Sequence, residues 1–331
     1  MTSSGGQTAT GGASTGGGGP GSGGTAAGGA TGDADIVVPV GATPDERHLL
    51  LRDEGNSVLH YVDLGVPTNT WHAPIPVGRE LQLVGDNRIL IGTENGYEER
   101  SAVDGSLVFA QDDFAGTVSA RRLRSGNTVL AGIDWQGETG VTLIEIDAAG
   151  AEQHRIVFPQ FDYVRLVRPT PTGNYLVTSN TTIFETDPAG SIVWQVTVQD
   201  STEPHAWKAL RLPSGETIVS TGYEASLQRF SAAEQFLGRI KAPSEVTPFF
   251  FSDYQILPSG NYLIANWQDH GTGNGNKGHQ IVELDSAGTR VWSWQQDASY
   301  VSSLQAVILL DGLNLGKLHV EDTTGELVPV D

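Results

Sequence analysis

Between Trp267 and His279 the sequence reads WQDHGTGNGNKGH. It gathers a Trp, a carboxylate (Asp269), an ammonium (Lys277) and two imidazoles (His270 and His279) in one Gly- and Asn-rich stretch. Two neutral imidazoles and a carboxylate are the donors a divalent cation takes, so His270 and His279 with Asp269 form a candidate metal set. The nine-residue separation of the two His matches no recognised ligand spacing, and the same residues also read as a braced loop. His205 follows Pro204, and an imidazole held at the start of a strand suits a general base or a strand-end cap. His270 shares that candidate role, with Asp253 as a third catalytic candidate. Glu80, Trp135, Tyr163, Trp207, Trp267 and Asp269 are candidate ligand-binding residues, joined by Asp134, Glu138, Phe250 and Lys277. Their aromatic faces supply stacking area and their polar groups fix orientation. The Trp residues can equally roof a channel.

A repeated unit must position these residues. It consists of an apolar strand, a turn closing in Gly-Asn or a variant, two further strands, a turn of the Asp-x-x-Gly kind, and a fourth strand. TPTGNYLVTSNTTIFETDPAGSIVWQVTV from Thr170 and LPSGETIVSTGYEASLQRFSAAEQFLGRI from Leu212 are clear copies. The first turn recurs at Asn87, Asn127, Asn174, Glu216 and Asn261, in steps of 40, 47, 42 and 45 residues. Four short strands at that period, without helical periodicity, predict a β-propeller. Five units carry their own inner strand. The first, HLLLRDEGNSVLHYVDLGVPTNTWHAPIP from His48, lacks one, and SSLQAVILLDG (Ser302 to Gly312) supplies it. The expected fold is all-β, a six-bladed propeller closed by a C-terminal inner strand, with LGKLHVEDTTGELVPV packing outside as a hairpin. A seventh, short blade made from that tail is the alternative. In either ring the second-to-third-strand loops and the N-terminal ends of the inner strands share one face. The loop after Trp267 is the longest insertion there, where length can vary without disturbing a blade core. Trp194 and Trp292, after Asp-x-x-Gly turns, read as packing between blades.

The formal net charge is −20, which speaks against nucleic acid or an anionic membrane as partner and for cationic or neutral ligands. No apolar run is long enough for a membrane helix. Cysteine is absent, which removes disulfides, thiolate metal sites and a Cys nucleophile. P-loop, GxSxG, HExxH and EF-hand patterns are also missing. Residues 1–34 are Gly/Ser/Thr-rich with no large apolar side chain after Met1 before residue 34, so a linker is expected there and a single propeller domain over residues 35–331. A tether of this composition, with no Cys beyond it, suggests an exported protein, periplasmic or at the cell surface. The tether then follows a lipidated residue, so that Met1 stands where a Cys would be. A monomer is expected.

With the blades laid out, the chain resembles the bacterial PQQ-like β-propeller repeat proteins of the six-bladed extracytoplasmic kind. The carrying residues are GNSVLHYVDLG, EPHAWKALRLPSG, QILPSGNYLIANWQDHG with KGHQIVELDSAGTRVW, and SSLQAVILLDG, across about Arg47 to Gly312. The Pro-His-Ala step and the Asn-Trp-Gln-x-His loop typical of such relatives fall on Pro204, His205 and Ala206, and on Asn266, Trp267, Gln268 and His270. The resemblance implies a face more than an activity. Quinoprotein dehydrogenases have eight blades and vicinal cysteines over the quinone; with fewer blades and no Cys, this chain is not expected to bind PQQ. Bacterial arylsulfotransferases, also six-bladed, use His and Arg near the channel, types found here in His205, His270 and Arg165. Calcium lactonases of the propeller class use Glu, Asn and Asp, types found in Glu80, Asn266 and Asp253. The expected function is binding of a small molecule, glycan or protein at the channel mouth. The alternatives are a lyase, lactonase or sulfotransferase with His205 or His270 as general base, with or without a divalent cation, and a scaffold in an envelope assembly.

Overall fold

The computed structural model describes residues 34–199, 203, 205–321 and 324–330. The expected linker, apart from Ala34, lies outside them, as does Pro204. The described chain forms six four-stranded antiparallel sheets and one two-stranded hairpin. Blade 2 comprises Gln82–Gly85, Arg88–Thr93, Gly96–Ser101 and Leu107–Gln111. Blades 3 to 6 repeat the pattern, with inner strands Thr117–Arg122, Val167–Pro169, Ala209–Arg211 and Phe250–Ile256. Blade 1 takes His48–Asp53, Val58–Asp63 and Trp71–Pro74 from the N-terminal region and its inner strand, Leu304–Leu309, from the C-terminal region. The ring has six blades, and the tail beyond them has two strands rather than a seventh blade.

The repeated residues tie the blades together. In blades 3, 4 and 6 the turn Asn donates its side-chain N–H to a Glu on the third strand: Asn127 to Glu145 at 2.6 Å, Asn174 to Glu185 at 2.7 Å and Asn261 to Glu283 at 2.6 Å. Blade 5 has Glu216 at the turn and reverses the polarity, receiving Arg229 at 2.6 Å. Each third-strand Glu also accepts from the following blade. Glu145 takes Tyr175 Oη at 2.9 Å, Glu185 takes Arg211 at 2.8 Å, and Glu283 takes Arg47 at 2.5 Å across the ring closure. Glu99 of blade 2 likewise takes Arg122 of blade 3 at 2.7 Å. One carboxylate therefore fastens its own blade and its neighbour, with the strength of charge-assisted hydrogen bonds. Trp194 lies between blades 4 and 5, its N–H on Ser231 O and Arg211 over its ring. Trp292 lies under Arg47 of blade 1. The Asp of the Asp-x-x-Gly turn caps that turn, as when Asp285 accepts the N–H groups of Ala287 and Thr289.

The ring closes as one antiparallel ladder, with Leu49 opposite Leu309, Leu50 opposite Ile308 and Leu51 opposite Val307. Asp53 anchors the incoming strand: its carboxylate accepts Ser302 N at 2.8 Å and Ser303 N at 2.9 Å. From the other side, Gln255 and Asp253 of blade 6 accept the N–H groups of Leu309 and Val307. Burial opposes the Asp53 charge, but His60, with Nε2 at 3.8 Å, and the N–H groups of Ser303, Ser302 and Asn56 outweigh it and hold the carboxyl below its ordinary value. A depressed carboxyl stabilises the fold above the unfolded-state pKa, and that stability is lost as pH falls through the lowered folded value. Asp53→Asn is therefore expected to cost about 1–3 kcal/mol at pH 7. In chemical denaturation across pH, the gap from wild type should close below about pH 4; a gap independent of pH would contradict the anchoring role.

The C-terminal hairpin, His319–Glu321 paired with Leu327–Pro329, does not pack on the outside. It lies across the end of the channel where the inner strands finish: Leu318 bridges Val84 of blade 2 and Glu326 bridges Ile256 of blade 6. Gly325, at φ +85°, sits where a Cβ would meet Ile256 and Leu212 at 2.6 and 2.9 Å. Glu321 enters the channel and meets Arg121 at 2.7 Å, Lys208 at 3.7 Å and Arg168 at 3.8 Å. Burial would raise its pKa, but these three cations drive it far below the ordinary carboxylate range. The channel is thus plugged at that end and retains one mouth.

Candidate functional site

The open mouth is formed by the N-terminal ends of the inner strands and by the second-to-third-strand loops. Blade 5 contributes His205 and Trp207 at the start of its inner strand and Tyr223 from its loop. Blade 6 contributes Phe249 and Phe250 at the start of its inner strand, and Trp267 and His270 beyond its second strand. These rings form one continuous wall. Trp207 meets Phe250 at 5.0 Å and 90°, Phe250 meets Trp267 at 5.0 Å, and Tyr223 meets Phe250 at 4.7 Å. His205 lies edge-on to Tyr223 at 5.5 Å, and His270 edge-on to Trp267 at 4.7 Å. Edge-to-face rings at these separations hold one another in place. Gly222 allows the approach, since a Cβ there would lie 2.8 Å from both His205 and Phe250.

The wall is bounded by charge. Glu54, from the blade 1 loop, accepts Trp267 Nε1–H on one oxygen and faces His270 Nδ1 at 2.7 Å with the other. The His270 side chain is 75% exposed. Lys277 pairs with Asp269 at 2.9 Å and lies 5.1 Å above the Phe249 ring. Arg165, from blade 4, sits 4.1 Å over Tyr163 and 4.5 Å over Trp207. Arg79, at the start of blade 2 and therefore opposite blade 5 in the ring, reaches to 5.3 Å over the same Trp207. Burial, then Arg165, lowers the His205 pKa, with Glu203 opposing, so the imidazole is neutral at neutral pH. Its Nδ1 is buried without a hydrogen-bond partner.

The structure brings His205, Trp207, Trp267, His270 and Phe250 together, with Tyr163 beside them under Arg165. It places Glu80 and Asp253 deeper. Glu80 holds Arg168 at 2.9 Å and Ser119 Oγ at 2.5 Å, and Asp253 holds Lys208 at 2.8 Å while accepting from the closing strand. Trp135 is buried in the blade 3 loop, its N–H on Ala115 O at 2.8 Å and its ring against Phe114. Asp134 caps that loop through Gly140 N, and Glu138 stands 3.8 Å from Arg155. His279 is fixed by its backbone, which receives Asn266 Nδ2 at 2.8 Å. Asn266 is buried and orders the loop, also accepting from Phe249 N and Phe250 N. Among the described residues no three His, Asp or Glu side chains are grouped as a metal-holding set. Glu54, Arg79, Tyr223 and Phe249 are mouth residues that the sequence patterns did not single out. Glu54 and Tyr223 lie in second-to-third-strand loops, the position that pointed to Trp267, and Arg79 immediately precedes Glu80.

No protein-family model matches the chain, and no curated protein does. Solved structures with the same architecture do. A protein of unknown function from Bacteroides caccae is 22% identical, with a TM-score of 0.62 over 79% of this chain and 98% of that one. Regucalcin from Agrobacterium tumefaciens, a calcium-binding protein, is 14% identical with a TM-score of 0.53 over 80% and 96%. A catalytically inactive virginiamycin B lyase from Staphylococcus aureus with quinupristin is 10% identical with a TM-score of 0.50 over 86% and 90%. At these identities the likeness is one of fold: a β-propeller shared by ligand-binding and enzymatic proteins.

Proposed function

We propose that this chain is a ligand-binding propeller that takes a small molecule or the terminal sugar of a glycan at its single open mouth. The carrying observation is the pair of partly exposed rings Trp207 and Tyr223, backed by the buried Phe250 and Trp267 of the adjacent blade over a plugged channel. Fixed aromatic faces beside a few oriented polar groups are the usual make-up of a small-molecule site. The repeat residues and the absence of cysteine support placing the protein outside the cytoplasm among PQQ-like repeat propellers. A thermal-shift screen of sugars and aryl compounds is expected to find ligands. Affinity for them should fall about tenfold or more in Trp207→Leu and Tyr223→Leu, the loss expected of an aromatic anchor. Unchanged affinity in both variants would remove the mouth as the site.

A second reading is supported by the pair of Glu54 and His270. A carboxylate on Nδ1 fixes the tautomer and orientation of an imidazole and leaves Nε2 as acceptor, which suits a general base. In the same experiment this reading expects wild type to convert a bound ligand, His270→Ala to bind it unconverted, and Glu54→Gln to bind it and convert it more slowly. Recovery of every ligand unchanged from wild type would leave the binder alone.

A further inference from the structure

Three cations of the channel interior are each matched to a carboxylate, and the buried Arg52 of blade 1 donates to the Pro76 and Glu80 carbonyls. Arg121 meets Glu321 at 2.7 Å, Arg168 meets Glu80 at 2.9 Å and Lys208 meets Asp253 at 2.8 Å. Arg79 and Arg165, one layer above, break that pattern: among the described residues neither has a carboxylate within ion-pair distance. Arg165 Nε is buried with no hydrogen-bond partner. The carboxylates whose charge reaches Arg79 are Glu54, Glu80 and Glu94. Glu54 is turned to Trp267 and His270, and Glu80 to Arg168 and Ser119. Glu203 acts on His205 and Tyr223. Burial lowers the pKa of both arginines, and Arg79 is the next cause for Arg165, which falls to about 10. Both remain charged at neutral pH. Two partly buried like charges on one indole are costly unless a counter-charge joins them.

We propose that Arg79 and Arg165 form a seat for the oxyanion group of a ligand, a carboxylate, sulfonate or phosphate, whose aromatic body lies along Trp207 and Tyr223, the partly exposed rings of the wall. The inference rests on the mouth being the ligand site. Stacking on Trp207 and Tyr163 orients the guanidinium groups, and the buried, unpartnered Arg165 Nε is a donor that a forked contact with an oxyanion would satisfy. Neutral His205 beside Arg165 adds a hydrogen bond rather than a third positive charge. The cavity below, lined by Arg79, Glu80, Arg168, Trp207, Asp253 and Gln305, has about 10 Å³ of space, room for one water. The anion therefore sits at the level of the two arginines and the ligand body extends outward along the wall. The net charge of −20 favours cationic or neutral partners for the surface as a whole; the mouth is a local exception.

Calorimetry on the purified chain with benzoate, benzenesulfonate and phenyl phosphate, against neutral benzamide, tests this. At least one anion is expected to bind, more weakly as salt rises from about 50 to about 500 mM. Benzamide should bind at least about tenfold more weakly, Arg79→Met and Arg165→Met should each lose about tenfold or more, and Arg→Lys should recover part of the loss. The ligand-free Met variants should melt no lower than wild type, since they relieve a repulsion. Which anion binds best identifies the group. If benzamide binds as well as the anions in wild type and both Met variants, while Trp207→Leu weakens it, the anion seat is wrong and the mouth survives. Met variants that melt clearly lower, or no anion binding at about 10 mM, overturn the seat as well.

Discussion

A chain ended at Ser303 is expected to show no cooperative unfolding transition at 25 °C. It lacks the inner strand of blade 1 and the hairpin that plugs the channel. Leu304, Val307, Ile308 and Leu310 are all buried, and each such side chain contributes about 1.5–3 kcal/mol by burial. Their sum approaches the whole stability of a typical domain, about 5–15 kcal/mol. The loss extends further, because Leu49, Leu51 and Leu263 pack against this strand and would meet water. His48–Asp53 would become an unpaired innermost edge, open to pairing between molecules. A synthetic peptide spanning residues 300–330, added in trans, is expected to restore a cooperative melt at a concentration-dependent temperature. A truncated chain melting like wild type without the peptide would show that the ring does not need its closing strand.

Glu80→Ala is expected to destabilise the protein by about 3–5 kcal/mol, because it leaves a fully buried Arg168 without its carboxylate. Burial disfavours the Arg168 charge, and Glu80 and then Glu321 more than offset this, so its pKa lies above the ordinary arginine value. Losing Glu80 exposes that cost, and Ser119 Oγ and Val167 N, which meet through the same network, lose their geometry. Replacing both partners, Glu80→Leu with Arg168→Met, is expected to recover most of the stability, since a buried pair is often worth no more than well-packed apolar side chains. Urea unfolding of wild type, both single variants and the double variant gives the coupling energy. A double variant as unstable as the sum of the singles would mean that the two side chains act independently.

The blades were legible in the sequence because their defining residues interact locally. The turn Asn and the third-strand Glu it reaches are 11 to 22 residues apart, inside one repeat. The closing strand was legible because the first unit lacks an inner strand and a matching segment stands near the C-terminus. The mouth was legible as a face, and Trp207, Trp267, His205 and His270 meet there. What the sequence hid depends on distance across the ring. Nothing local tells that Glu54 turns to His270, 216 residues later, or that Arg79 spans the mouth to Trp207. Glu80 and Asp253 stand at the starts of inner strands, where ligand residues are expected, yet their oxygens are taken by Arg168 and Lys208. The tail hairpin was seen, but its place in the channel depends on Glu321 finding three cations that no repeat advertises.

The ladder between Leu49 and Leu309 also sets the order in which the molecule can be finished during synthesis. Of the six sheets, the one whose strands begin earliest in the sequence is the last to gain its fourth strand. At about 5–20 residues per second, roughly a quarter of a minute to a minute passes while the His48–Asp53 edge stays bare and five later sheets emerge. Any factor that accompanies the nascent polypeptide must therefore shield that edge until Leu304–Leu309 emerges.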